Sequence, residues 1–320
     1  MTGVFLGKII KVANPGKRAL GTARLTSTER QMSTIIGEAI RGLTADIDTE
    51  VLSRALASRS VERVIGSFSW ASFGDRMSTT RIPLLQQLRD TGVAEARSLT
   101  QVIGSFAFDV TDPRAVTWAA ARSGDLVVGI GELVRSEIRG TITSAFINQI
   151  DAREVAASIP RTVGLFPRWA NAVENSYQRN LLSLLADGLS PSAAASRAAE
   201  LADAYRERLI DARSTMIART ETMTAANEGR FISWQQAGDR GLIDPANSSK
   251  EWLAEGDACE ECSILDGEVV ALNDDFSSDD GMPPAHPNCR CTAVLIPEPV
   301  DQAQETSLDE RDAVSLETDE

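Results

Sequence analysis

The stretch from Ser190 to Gly238, SPSAAASRAAELADAYRERLIDARSTMIARTETMTAANEGRFISWQQAG, decides the fold class. Ser190-Pro191 has the form of a helix start, with Ser as the capping residue and Pro in the first turn, where its missing N–H costs nothing. Neither Gly nor Pro occurs between Ser192 and Glu228, so the helix is expected to run on. Leu201, Tyr205, Leu209, Ala212, Met216, Thr220, Met223 and Asn227 fall on one stripe, which Phe231 and Trp234 continue. The stripe is expected to face a core. Thr220 and Asn227 must then find partners, because an unpaired buried polar group costs about 1–3 kcal/mol. Arg219 and Glu221 flank Thr220, and catalysis by this pair is the sharper alternative.

Upstream, the text reads as further helices. Met32–Leu43, Asp46–Phe68 and a piece opening at Pro83 are expected to be helical, interrupted at Ser72–Gly74 and Ser78–Thr80. Asp109–Arg114 is a turn that opens a longer helical region. Val134, Ile138, Ile142, Ala145, Phe146 and Ile150 recur there at helical spacing. Gly129-x-Gly131 lacks a preceding strand and a third glycine, so it is not expected to bind a nucleotide. Downstream of Gly238 the periodicity ends. Lys250–Leu253, Glu268–Leu272 and Thr292–Ile296 have strand character and are separated by turns such as Asp266-Gly267.

The expected fold is therefore mainly α, with a small C-terminal α+β module carrying cysteines and histidine: long helices, then short strands, then an acidic disordered tail. The divisions are a basic arm (1–30), an N-terminal helical region (31–107), a second helical region (108–238) containing the long segment 191–236, a Cys/His module (239–297) and the tail (298–320).

The chain has 320 residues, enough for about two domains with a real core. Its one histidine excludes His-Glu-x-x-His proteases and three-His zinc sites. His286 is followed by Pro287-Asn288, which also excludes the zinc-deaminase signature. No secretion signal and no apolar run of about 18 residues is visible, so no membrane partner is expected. The net charge of −14 is an average of unlike parts. Residues 251–320 carry 20 acidic and 2 basic residues, leaving a mildly basic body. Lys8, Lys11, Lys17, Arg18, Arg24 and Arg30 crowd the first thirty residues against Glu29 alone. Such an arm is a candidate for contacting nucleic acid without sequence preference, by neutralising phosphates; a solvated arm that merely balances charge is the plainer alternative.

All four cysteines and the single histidine fall within 33 residues, as Cys259-x-x-Cys262 and His286-Pro-Asn-Cys289-Arg-Cys291. A Cys-x-x-Cys turn presents two thiolates together, half of a tetrahedral zinc site, and His286 with Cys289 repeats the spacing. A structural zinc takes four of the five donors, with Cys291 or His286 the one left out. Two disulfides or free structural thiols are one alternative, and a redox-active Cys-x-x-Cys is another. Glu251, Glu255, Asp257, Glu260 and Glu261 around the turn disfavour a reactive thiolate.

Met216-Ile-Ala-Arg-Thr-Glu221 with Ala225-Ala-Asn227-Glu-Gly-Arg230 resembles the helix signature of phage head morphogenesis proteins, the Mu protein F-like minor capsid family. Trp252, Cys259-Glu-Glu-Cys262, Leu265-Asp-Gly267 and Pro283-Pro-Ala-His-Pro-Asn-Cys-Arg-Cys291-Thr292 follow in the order and spacing of that family. The resemblance covers about residues 180–297. It implies a non-enzymatic minor head protein of a tailed double-stranded DNA phage, docking to the portal protein or to the major capsid or scaffolding protein during procapsid assembly, and aiding packaging or ejection. It implies a place in the virion near the portal, host cytoplasm during assembly, and no small-molecule substrate. Arg219, Thr220, Glu221, Asn227 and Trp252 would be structural or interaction residues. The alternatives are a head-maturation protease or nuclease, for which His286 with Asp266 or Glu221 is the available nomination, and a zinc-stabilised DNA-binding module.

Overall fold

The structure is a computed structural model that describes residues 26–45 and 47–298. The described residues are mainly helical, with a small sheet near their C-terminal end. In chain order the first elements are α1 (Ser27–Ala45), α2 (Thr49–Ala57), α3 (Val61–Ile65), α4 (Trp70–Ser78), α5 (Arg81–Ile103) and α6 (Pro113–Ile147). Then come α7 (Ala152–Thr162), α8 (Pro167–Ala186), α9 (Pro191–Asp239), β1 (Ser249–Leu253), α10 (Glu260–Leu265), β2 (Val269–Ala271) and β3 (Thr292–Ile296).

Local chemistry explains several boundaries. Asp48 accepts the N–H groups of Glu50 and Val51 ahead of α2, and Ser60 accepts Arg63 N–H ahead of α3. That second cap divides the span from residue 46 to 68 into two short helices, where the sequence suggested one. Arg59, with φ of 54°, makes the break. The interruption expected at Ser72–Gly74 is also absent: these residues lie inside α4, and the chain turns at Thr79 and Thr80. Pro83 sits in the first turn of α5, and Gly129 and Gly131 lie inside α6. Ser190 Oγ accepts the N–H of Ala193 at 3.3 Å, and α9 opens on Pro191 as its sequence indicated.

The described residues form two compact units, each drawn from separate stretches of chain. The helical unit comprises residues up to 86 together with 116–222. In it α1 packs on α4, and α7 packs on α2 and α8. Met32, Ile36, Ile40 and Leu43 of α1, Leu52 and Leu56 of α2, and Ile138 and Ile142 of α6 are fully buried. Gly164 turns the chain after α7 with φ of +80°, and a Cβ there would meet Ile40 Cγ2 at 2.3 Å.

The stripe read along α9 needs correction in this unit. The buried positions are Ala194, Ala198, Ala202, Arg206, Ile210, Arg213, Ser214, Ala218, Glu221 and Thr222, whereas Leu201 is 37% exposed and Ala212 is exposed. The interior face is offset because it is built from small residues, which permit close approach, and from arginines made tolerable by partners. Arg213 is 0% exposed. It donates to the carbonyl of Gly164 at 2.7 Å, meets Glu137 at 3.3 Å, and lies 4.4 Å from the Phe166 ring centre.

The sheet unit comprises residues 87–115 and 223–298. Its antiparallel sheet has the order β2-β1-β3, with Glu251 opposite Val269 on one side and opposite Val294 on the other. Trp234, Trp252, Leu272 and Ala293 form its core with Leu99, Ile103, Phe276 and three of the cysteines. In this part of α9 the sequence stripe holds, since Met223, Asn227 and Trp234 are all buried. A Cβ on Gly229 would meet the Leu88 carbonyl oxygen at 2.2 Å, so α9 crosses α5 at backbone contact.

The tail beyond residue 298 lies outside the described residues. Among those described, no helix is long and apolar enough to cross a membrane.

Candidate metal centre

β1 ends at Leu253, and Asp266 Oδ1 accepts the N–H of Ala254 at 2.8 Å, closing the loop that carries the first two cysteines. Cys259 occupies the cap position of α10 and Cys262 lies in its first turn. This places both sulfurs at one helix start. The second donor segment precedes β3. There Cys289 N–H donates to the His286 carbonyl at 3.0 Å, and Asn288 takes a left-handed φ of 64°, a conformation that asparagine tolerates. This tight turn carries His286 and Cys289, and Cys291 follows two residues later.

The two segments converge. Nε2 of His286 lies 3.1 Å from Cys259 Sγ and 3.0 Å from Cys262 Sγ, and Cys262 Sγ lies 3.6 Å from Cys289 Sγ. His286 Nδ1 donates to the Pro287 carbonyl at 2.9 Å, which leaves the Nε2 lone pair facing the sulfurs. Two groups of possible ligands result: Cys259, Cys262 and His286, and Cys262, Cys289 and Cys291, each with donor atoms within 4.8 Å of one another. Cys262 belongs to both. All four cysteines are free thiols, so the disulfide alternative is not the arrangement found.

The donor set fits a thiophilic ion. Zinc–sulfur bonds of about 2.3 Å place tetrahedral sulfurs roughly 3.8 Å apart, close to the Cys262–Cys289 separation. Three of the four sulfurs are buried, while Cys259 is exposed. The thiols are also differentiated. A hydrogen bond from Cys291 lowers Cys289 to about 5, whereas burial pushes Cys262 up to about 12. Of the surrounding carboxylates, Asp257 is paired with Arg290.

The helix motif serves two separate purposes. Glu221 receives both Nε and Nη2 of Arg122, so its two oxygens are engaged. Thr220 Oγ1 donates to the Met216 carbonyl at 2.9 Å, and Arg219 is half-buried next to it. Asn227 instead belongs to the sheet unit and reaches the donor segment: its Nδ2 donates to the Pro283 carbonyl at 2.9 Å. Trp252 is fully buried on β1, edge-on to Phe276 with ring centres 5.3 Å apart. Of the six basic residues at the N terminus, Arg30 is exposed on α1; Lys8, Lys11, Lys17, Arg18 and Arg24 lie outside the described residues.

Sequence reasoning passed over two residues. Lys250 is 2% exposed, with Nζ 5.2 Å from the ring centres of both Phe231 and Phe276. Glu228 is raised to about 7 by burial. Nothing local marks either, although Lys250 shares the buried face of β1 with Trp252.

Residues 184–294 match the Phage Mu protein F like family. The matched segment begins in the last turn of α8, ends in β3, and contains all of α9 and all five donors of the centre. The similarity to phage head morphogenesis proteins thus falls where the motifs place it, and the Mu protein F-like segment contains both the Arg-Thr-Glu helix motif and the Cys/His centre. No curated protein and no solved structure gives a significant match.

Proposed function

We propose that this chain is a minor head protein of a tailed double-stranded DNA phage that acts by binding rather than by catalysis. One observation carries the reading: the segment similar to Mu protein F-like proteins is also the segment that gathers the five metal-ligand candidates around α10 and β3. Docking to the portal protein or the inner capsid shell during procapsid assembly would use the helices. The chain would then remain in the virion, inside the capsid near the portal. An arm bearing Lys8, Lys11, Lys17, Arg18 and Arg24, followed by Arg30 on α1, would add contact to packaged DNA that weakens steeply with salt.

In this reading zinc occupies the centre, held by four of Cys259, Cys262, His286, Cys289 and Cys291. A structural zinc supplies folding energy and no reaction step. The chain's own part is to bring the Cys-x-x-Cys helix start and the His286–Cys291 segment together, so that His286 Nε2 and Cys289 Sγ both lie within 3.6 Å of Cys262 Sγ. Mass spectrometry of purified heads tests the assignment: the chain is expected in the particle at low copy, and heads made without its gene are expected to be defective. A chain absent from heads, with normal heads formed without it, would sink the proposal. Co-expression with capsid proteins is expected to produce no cleavage product.

A further inference from the structure

Asn227 is 1% exposed on α9, and its carboxamide makes five polar contacts. Nδ2 donates to the carbonyls of Pro283 at 2.9 Å and Cys291 at 3.3 Å. Oδ1 accepts from Thr292 Oγ1 at 2.7 Å, from Ala293 N–H at 3.3 Å and from Nη1 of Arg230 at 3.2 Å. Arg230 also donates to the Thr292 hydroxyl, which ties the three side chains into one network.

The placement of these contacts along the chain matters more than their number. Pro283 precedes His286, Cys289 and Cys291, whereas Cys291, Thr292 and Ala293 close the segment. One side chain therefore grips both ends of the loop that supplies three of the five donors. Inside the loop, the His286–Cys289 turn fixes the donors relative to one another. It does not fix them relative to Cys259 and Cys262 on α10. The pairing of β3 with β1 restrains the exit of the loop, and the bond from Asn227 to Pro283 restrains its entry.

We propose that Asn227 is a positioning residue for the metal centre, setting the distance between the His286–Cys291 loop and the Cys-x-x-Cys helix start. This rests on the reading that the centre holds a metal. Both halves of the carboxamide are needed: a carboxylate could accept but not donate to Pro283 and Cys291, and an aliphatic side chain could do neither. Partners of this kind, outside the ligand set, typically alter metal affinity by about 10–100-fold when removed.

The test uses the full chain, purified anaerobically, stripped, and titrated with zinc(II) against a competing chelator and with cobalt(II). Cobalt reports the ligand geometry through its visible absorption, which a loss of general stability alone does not shift. Asn227→Asp is expected to bind zinc about 10–100-fold more weakly and to show an altered cobalt spectrum. Thr292→Val, which removes one contact to the same carboxamide, is expected to show a several-fold weakening and decides the matter if Asn227→Asp does not fold. Wild-type affinity and spectrum in the variants that fold would overturn the role of Asn227 while leaving the metal in place. A wild-type chain that takes up neither ion would overturn the metal reading itself, and this inference with it.

Discussion

Arg122 closes a bidentate ion pair on Glu221, with Nε and Nη2 at 2.7 and 2.9 Å from the two carboxylate oxygens. The Glu221 side chain is only 6% exposed, while that of Arg122 is 35% exposed. Removing the arginine would strand a buried charge, so Arg122→Ala is expected to cost about 2–3 kcal/mol in urea unfolding. Replacing both partners, as Arg122→Met with Glu221→Leu, should cost less than Arg122→Ala alone, because no uncompensated charge remains. A double variant no better than the single one would show that the pair contributes through packing.

Cys262 is the member common to both donor groups. Cys262→Ser is therefore expected to abolish metal retention, as read by elemental analysis of anaerobically purified protein. Chelation of the wild-type chain should lower its melting temperature, because binding free energy is folding free energy at such a site. Unchanged metal content in Cys262→Ser would show that the convergence of the two groups on one sulfur has no part in binding.

Burial raises Glu228 to about 7 from an ordinary 4.5. The sign follows directly. Between these values the unfolded chain has released the proton and the folded chain has kept it, so stability falls as pH rises from about 4.5 to 7 and levels off above. The ceiling on this loss is about 3 kcal/mol. Glu228→Gln should flatten that part of the pH–stability curve and give a more stable protein at pH 8. A curve of the same slope in the variant would exclude Glu228 as its source.

Gly229→Ala sets two effects against each other. Alanine favours the helical state over glycine by about 1 kcal/mol. Its Cβ would, however, lie 2.2 Å from the Leu88 carbonyl oxygen and 3.2 Å from Gly92 N. Both are backbone atoms that cannot rotate away, so the helices must separate. The net expectation is a destabilisation of about 1–3 kcal/mol in thermal or urea unfolding. A stabilised variant would show that the crossing can open without loss.

The elements of the sheet unit were legible because their signals are local. Strands at Lys250–Leu253 and Thr292–Ile296 and the Cys-x-x-Cys turn each depend on neighbours within a few residues, as does the helix start at Ser190-Pro191 in the helical unit. The centre was legible for the same reason, since its donors come in two short runs. The buried face of α9 was not. A search for large apolar residues selects Leu201 and Tyr205, whereas Ala194, Ala198 and Ala202 do the packing. The caps at Asp48 and Ser60 are likewise common residue types, whose effect shows once the backbone has turned.

Residue type and spacing by themselves determined a mainly helical chain, a small C-terminal sheet, and five sulfur and imidazole donors gathered in 33 residues. Only the tertiary structure decided which polar residues are consumed and by what. Glu221 meets an arginine 99 residues away, and Asn227 meets carbonyls 56 and 64 residues away. No periodicity encodes such pairs. They exist because a buried polar group must be satisfied by whatever the fold brings beside it, and that choice is made only when the chain closes.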